Sequence, residues 1–338
     1  MENPVLVRLT RGELAESRHC GAFAIVGIQG DPLYDVGDIL TPRFARSAIK
    51  AIQAIPLVES GAAAAFELDQ IELALACASH SGEAEQVARV KSMLAKIGLD
   101  ETALACGAQW PLSVEAARAL AATGERPGPL HNNCSGKHAG MLALAVHRGD
   151  DIVGYERATH PVQQAVADTL AGMAEFELKP ATSAIDGCSV PTWALPLRSL
   201  AHAFAKFATG AELEPGRAAA CRALMEACFA EPSFVAGQGR FCTRVMAQLP
   251  GRAFVKGGAE GVFCACLPEI GVGVAVKIDD GAKRAAEAVM AALLANLLPG
   301  AREALRGVWN GQLTNWRGEV VGETEFSAEL IEALEPHS

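Results

Sequence analysis

β-type sequence in this 338-residue chain sits at the two ends and is nearly missing between them. Near the start, Val5-Leu-Val7 and Ala22-Phe-Ala-Ile-Val26 read as a hairpin or a pair of sheet strands within residues 4–28. After Pro250 the same signature returns in Arg252-Ala-Phe-Val255, Gly261-Val-Phe-Cys-Ala-Cys266 and Gly271-Val-Gly-Val-Ala-Val276. The pattern between about 81 and 250 is helical. Ser81 is expected to cap a helix with the apolar stripe Val87, Val90, Leu94 and Ile97, closed by Gly98. Further helix starts fall at Ser113, Ser135 and Thr159-His-Pro161. Thr41-Pro42 offers an N-cap and a first-turn proline for a helix over roughly 42–54, and a last long helix follows Asp279 or Asp280 and stops at Pro299-Gly300. The economical architecture is α+β, an α/β sandwich. One mixed, mainly antiparallel sheet is built from both chain ends, with a helical subdomain inserted. Residues 1–80 and 250–338 would form the sheet-containing part and 81–249 the helical part, together one unit.

Composition narrows the partners. Half the residues are apolar and 20% are charged, which supports a sizeable core. Lys and Arg number 29 against 39 Asp and Glu, leaving a net charge of −10 with the basic residues scattered, so no nucleic-acid partner is expected. The longest apolar runs, such as Ala288 to Ala295, fall short of the ~18 to 20 residues a membrane helix needs, so no membrane partner is expected either. Met1-Glu-Asn-Pro4 has neither a basic nor an apolar leader region, which points to the cytoplasm. Ten cysteines without a CxxC pair then read as free thiols in a reducing compartment. Cys221 with Cys228, and Cys264 with Cys266, have the spacing of small buried residues on one face of a helix or strand.

Ser47-Ala-Ile-Lys50 is an SxxK inside the expected helix, where positions three apart share a face and the amine can meet the hydroxyl. A lysine whose pKa is lowered by burial or nearby cations can take that proton and create a nucleophile. Alone, the pattern also fits a surface Ser and Lys on one turn. Two later features strengthen the catalytic reading: Ser79-His-Ser81, where an apolar segment hands over to a helix, and Lys256-Gly-Gly258 on a late strand. The order SxxK, Ser-x-Ser, Lys-x-Gly is that of the penicillin-recognising serine enzymes and serine-type glutaminases, with SHS and KGG standing here for the usual SDN and KTG.

A second constellation is rich in sulfur. His131-Asn-Asn-Cys-Ser-Gly-Lys-His-Ala-Gly-Met141 ends a loop and opens a helix, placing Cys134, Lys137 and His138 near its positive end. Asp186-Gly-Cys188, followed by Pro191, is another polar turn. Two Cys, a His and an Asp from these turns could build one zinc site; equally, they could be ordinary buried cysteines and a capping aspartate.

Together the strings Asn133-Cys-Ser-Gly-Lys-His-Ala-Gly-Met141, Asp186-Gly-Cys188 with Pro191, Ala78-Ser-His-Ser-Gly82 and Ser47-Ala-Ile-Lys50 closely resemble the Rhizobium etli-type L-asparaginases, the asparaginase II family, over essentially the whole chain. The resemblance implies a serine β-lactamase/glutaminase-like fold, a homodimer, and hydrolysis of L-asparagine to L-aspartate and ammonia. It implies two Ser–Lys tandems, Ser47 with Lys50 and Ser79 with Lys256. It also implies a zinc ion near the active site on Cys134, Lys137 and Cys188, with Asp186 and His138 close by. A lysine ligand is unexpected chemically, because only a neutral amine coordinates, and His138 would be the ordinary choice.

On this reading Ser47 attacks the side-chain amide and Lys50 accepts its proton. Ser79, polarised by Lys256, relays a proton to the departing ammonia. The oxyanion would lie on the Ser47 N–H and an N–H of the strand after Lys256. Asp186, His138 and Arg46 are the substrate-binding candidates, with Asp186 facing the substrate ammonium and Arg46 its carboxylate. Zinc would support substrate binding and leave the chemical step to the serines. The nearer alternative is a serine-type glutaminase or another amidase of the same fold; the more distant is a non-catalytic zinc or redox sensor.

Overall fold

In the computed structural model, which describes residues 2–334, the two ends of the chain share one sheet. Strands β1 (Val5–Arg11), β2 (Leu14–Val26) and β3 (Pro32–Val36) come from the start of the chain. Strands β4 (Arg43–Phe44), β5 (Ser183–Ile185) and β6 (Pro191–Leu195) make a separate small sheet in the order β4-β6-β5. Strands β7 (Phe254–Gly257), β8 (Val262–Leu267), β9 (Val272–Ile278), β10 (Gln312–Thr314) and β11 (Val320–Phe326) complete the large sheet. Its order is β10-β11-β1-β2-β9-β8-β7, with β3 also paired to β2. Every pairing among the described residues is antiparallel. The joint between the two ends is β2 on β9, with Gly21 opposite Ile278 and Val26 opposite Gly273.

This is the expected α/β architecture with an antiparallel sheet drawn from both termini. All six residues of β8 are buried, so both faces of the sheet must be covered there. The helix Leu197–Thr209 packs on β2, β8 and β9, and the helix Lys283–Leu297 on β1, β8 and β9. Contact with the first of these is so close that a Cβ at Gly273 would stand 1.9 Å from the Ala201 carbonyl oxygen, which explains a glycine inside an otherwise β-branched strand. No helix among the described residues is long and apolar enough to cross a membrane.

Three expectations need correction. Strands β10 and β11 were not anticipated; β11 is half-exposed, with Glu323 and Glu325 among its residues, so it lacks the apolar run of a central strand. The helix expected over 42–54 does not start at Pro42. Thr41 N–H and Leu40 N–H are taken by Asp38 Oδ1, and Arg43–Phe44 runs extended as β4 against Leu195 and Ala194. The chain turns at Arg46, in the left-handed region at φ 49°, and only then forms a 3-10 turn over Arg46–Ile49 and an α-turn over Lys50–Gln53. Third, Ser81 is not the cap of the following helix. Its hydroxyl donates to Ala236 O (2.8 Å), and Glu83 holds the cap position of Ala84–Lys96, its N–H on Gln86 Oε1 (3.0 Å).

Candidate active site

Four elements converge on one small volume: the Arg46–Ile49 turn, the segment Ala78–His80, the start of the helix Ser135–Arg148 and the end of β7. Lys50 is 1% exposed and Lys256 2%. Lys50 Nζ donates to Ala78 O (2.6 Å), Ser79 Oγ (3.0 Å) and Cys134 Sγ (3.0 Å), which occupies all three of an ammonium's protons. Lys256 Nζ donates to Ser79 Oγ (2.8 Å) and Gly257 O (3.0 Å). Both amines therefore meet on Ser79, whose N–H is pinned to Val235 O (2.9 Å). Burial lowers the Lys256 pKa to about 7, and the neighbouring Lys50 charge adds to the effect. Ser47 lies half-buried on the adjacent turn, but no hydrogen bond joins its hydroxyl to Lys50 among the described residues. The 3-10 start shifts the register, and the Lys50 amine finds its acceptors on Ala78, Ser79 and Cys134.

The sulfur groups form the neighbouring wall. Cys134 precedes the helix Ser135–Arg148, its N–H bonded to Asn132 Oδ1 (2.9 Å). The Cys188 thiol donates to it, and that bond, with the Lys50 and Lys137 ammoniums, holds Cys134 well below the usual thiol range despite burial. Cys188, the donor of the pair and itself buried, is pushed up. Lys137 Nζ lies 3.0 Å from Cys188 Sγ; burial acts to lower its pKa, but Cys188 and Cys134 outweigh it and the net shift is upward. The four other paired-spacing cysteines, 221, 228, 264 and 266, are buried free thiols.

The turn carrying Cys188 also carries Asp186. Asp186 N–H bonds Val190 O (2.8 Å), and Ser189 takes a left-handed conformation at φ 75° to close the loop between β5 and β6. Asp186 Oδ1 accepts from Gly187 N–H (2.9 Å) and from Arg46 Nε (2.7 Å). Burial acts to raise the Asp186 pKa, while the Gly187 N–H and the Arg46 and Lys137 charges bring it below its ordinary value. The two candidates for binding opposite ends of a substrate thus stand as an ion pair with one another. His138 is fully enclosed; its Nδ1 is 2.6 Å from Tyr155 Oη, and burial followed by the Lys137 and Lys50 charges keeps the ring neutral.

A zinc ion would need donors converging here. Among the described residues no group of three or more His, Cys, Asp or Glu has the arrangement of a metal site. Yet Lys137 meets Cys188 and Cys188 meets Cys134, which gathers two sulfurs and a nitrogen at one point. Two thiolates and an amine suit zinc, so the residues fit the ion.

Sequence reasoning missed His80 and Tyr155. His80 N–H reaches Asn133 O (3.1 Å), its Nδ1 accepts from Gly82 N–H (3.1 Å) and its Nε2 meets Ser135 Oγ (2.8 Å), which donates to Leu130 O (2.9 Å). Burial, then Lys50 and His131, lowers its pKa to about 3, so a neutral imidazole ties the Ser79 segment to the Cys134 turn. His80 lies inside the Ser-His-Ser string, where the serines drew the attention. Tyr155 stands outside every motif and carries no sequence signal.

A buried amine of lowered pKa within reach of a serine can act as the base that activates a nucleophile. The model of the L-asparaginase II family matches residues 7–326, and the chain belongs to that family. Membership supports an amidohydrolase. No curated protein matches the chain significantly. Among solved structures, a β-lactamase from Mycobacterium bovis is 15% identical over 85% of this chain and 94% of its own, with a TM-score of 0.39. A β-lactamase from Sulfitobacter sp. EE-36 is 14% identical over 81% and 92%, TM-score 0.41. A simvastatin synthase mutant from Aspergillus terreus is 10% identical over 77% and 86%, TM-score 0.34.

Proposed function

We propose that the protein is an L-asparaginase of the Rhizobium etli type, releasing ammonia from the side chain of L-asparagine through a serine ester. The observation that carries this reading is the convergence of Lys50, which follows Ser47 by three residues, and Lys256 on Ser79, in a chain of the L-asparaginase II family. Near neutral pH Lys256 is close to giving up its proton. Because Ser79 Oγ bridges the two amines, a proton moved from Lys50 across Ser79 onto neutral Lys256 leaves Lys50 as the base for Ser47. Ser47 Oγ then attacks the amide carbon and its proton passes to Lys50. Collapse of the tetrahedral intermediate returns a proton through Ser79 to the departing ammonia. Water, deprotonated by the same pair, hydrolyses the ester.

Asp186 and Arg46 would separate from one another to take the substrate ammonium and carboxylate, with His138 lining the wall. Cys134, Lys137 and Cys188 would hold zinc. When bound, the ion supplies a crosslink between two turns and positive charge at the pocket wall. The homodimer rests on the resemblance.

One observation favours a second reading of the nucleophile: Ser79, not Ser47, carries both amine contacts. There Lys256 is the base and Ser79 forms the ester. Ammonia release from asparagine and glutamine by Ser47→Ala and Ser79→Ala, with mass spectrometry of the acyl-enzyme, separates these readings. Loss of adduct in Ser47→Ala but not in Ser79→Ala is expected. The reverse assigns the ester to Ser79, and equal kcat/KM on both amides makes the enzyme a broader amidase, since one methylene is worth only ~1–3 kcal/mol of discrimination.

A further inference from the structure

His138 stands beside the sulfur cluster with Nδ1 on Tyr155 and the rest of its ring turned to the backbone of Cys188, and the Nδ1 contact decides what Nε2 can do. Tyr155 is 1% exposed and packs edge-on against the ring, centroids 5.5 Å apart at 79°. Its hydroxyl oxygen accepts from Ala105 N–H (3.0 Å) and lies 2.6 Å from His138 Nδ1. Gln163 Nε2 bonds the Tyr155 carbonyl (3.0 Å) and holds that residue's backbone in place. The phenol has one proton to give, and with Ala105 already donating, Nδ1 is its acceptor among the described residues. The reverse arrangement, with the proton on Nδ1, would leave a buried phenol hydrogen without a partner, which is unfavourable. A neutral ring that accepts at Nδ1 must carry its hydrogen on Nε2. The ring's other polar contact is with the backbone of Cys188, which a hydrogen on Nε2 serves as donor.

We propose that Tyr155 is a positioning residue: its hydroxyl fixes His138 as the Nε2–H tautomer, so His138 meets the Cys134–Lys137–Cys188 cluster as a hydrogen-bond donor and not as a metal-ligating lone pair. Lys137 is then left as the nitrogen donor for zinc. The inference rests on the zinc assignment above only for its affinity readout; the tautomer itself is a property of the metal-free chain.

Long-range nitrogen-15 correlation spectra of the metal-free protein, with the His138 signals identified by their loss in His138→Gln, read the tautomer directly. A pyridine-type Nδ1 and a pyrrole-type Nε2 are expected, and the opposite pattern overturns the proposal. Tyr155→Phe keeps the ring and removes the hydroxyl. It should mix the tautomers and weaken binding of zinc alone, measured by chelator competition, by about 10- to 100-fold, the usual effect of losing a partner that orients a site. A folded Tyr155→Phe with unchanged tautomer and zinc affinity, or a zinc-induced shift showing direct ligation at Nε2, overturns it. If the tautomer is as expected but asparagine yields no ammonia, the proposed activity fails and this assignment stands.

Discussion

Lys256 and Lys137 are equally buried and end in opposite states. Burial acts on both to favour the neutral amine. Lys256 faces a hydroxyl, a carbonyl and the charge of Lys50, and burial with that charge outweighs the opposing pull of Cys242 and Cys134, so its pKa settles at about 7. Lys137 faces Cys188 and Cys134, and those sulfur groups reverse the shift. The same desolvation therefore leaves Lys256 near its protonation midpoint at neutral pH and Lys137 a cation; in the proposed function the first would exchange protons and the second would give up its proton to a metal. The charge of the neighbours, not the depth, separates the two roles.

The largest effect that tests this contrast is on turnover. Lys256→Met should lower kcat for asparagine by about 10²- to 10⁴-fold, as expected for a lost base. Wild-type kcat/KM should fall as pH drops through about 7, where the Lys256 amine takes up its proton. Steady-state ammonia release over a pH series checks both, and an unchanged kcat removes Lys256 from the chemistry. Next in size, Lys137→Met should weaken zinc binding and raise KM by about tenfold or more while kcat stays nearly level, the split expected of a residue that shapes binding. Equal losses of kcat and kcat/KM in both variants would erase the contrast.

The smallest effect is on stability. The pKa of Lys256 is about 7 folded against 10.5 ordinarily, so between these values the unfolded chain binds more protons and stability rises with pH. Below about 7 the group exerts its full destabilising effect. Lys256→Met should thus raise Tm, by an amount on the order of a few degrees at neutral pH, and the gain should shrink towards pH 10.5. A gain that grows with pH would mean the amine is charged in the folded state.

The sheet drawn from both termini is legible because β-branched alternation is a local signal and the helical stretch between has no strand pattern strong enough to compete. The small sheet of β4, β5 and β6 is not, since strands of two and three residues carry no periodicity and the five-residue β6 is buried throughout, so it shows no alternation. Ser47, Lys50, Ser79 and Lys256 are visible as motifs, but which amine meets which hydroxyl is not. That depends on Arg46 adopting φ 49°, a conformation a non-glycine residue takes only when its surroundings demand it. The Arg46–Asp186 pair escapes for the same reason: the residues are 140 positions apart and only the β4–β6 pairing brings them together. Tyr155 and His80 matter through hydrogen bonds alone, which no spacing announces.

Lys256-Gly257-Gly258 leaves β7 directly against the Arg46–Ile49 turn: a Cβ at Gly258 would lie 3.1 Å from Ala48 N and 3.2 Å from Ala45 O. The two nearest atoms are both backbone, so the strand end and the serine turn meet almost main chain to main chain, with only the Ala48 methyl beside them. A bulkier residue at 258 would act as a wedge, prising the end of β7 with Lys256 away from the turn that carries Ser47 without replacing any of the four residues of the proposed Ser–Lys tandems.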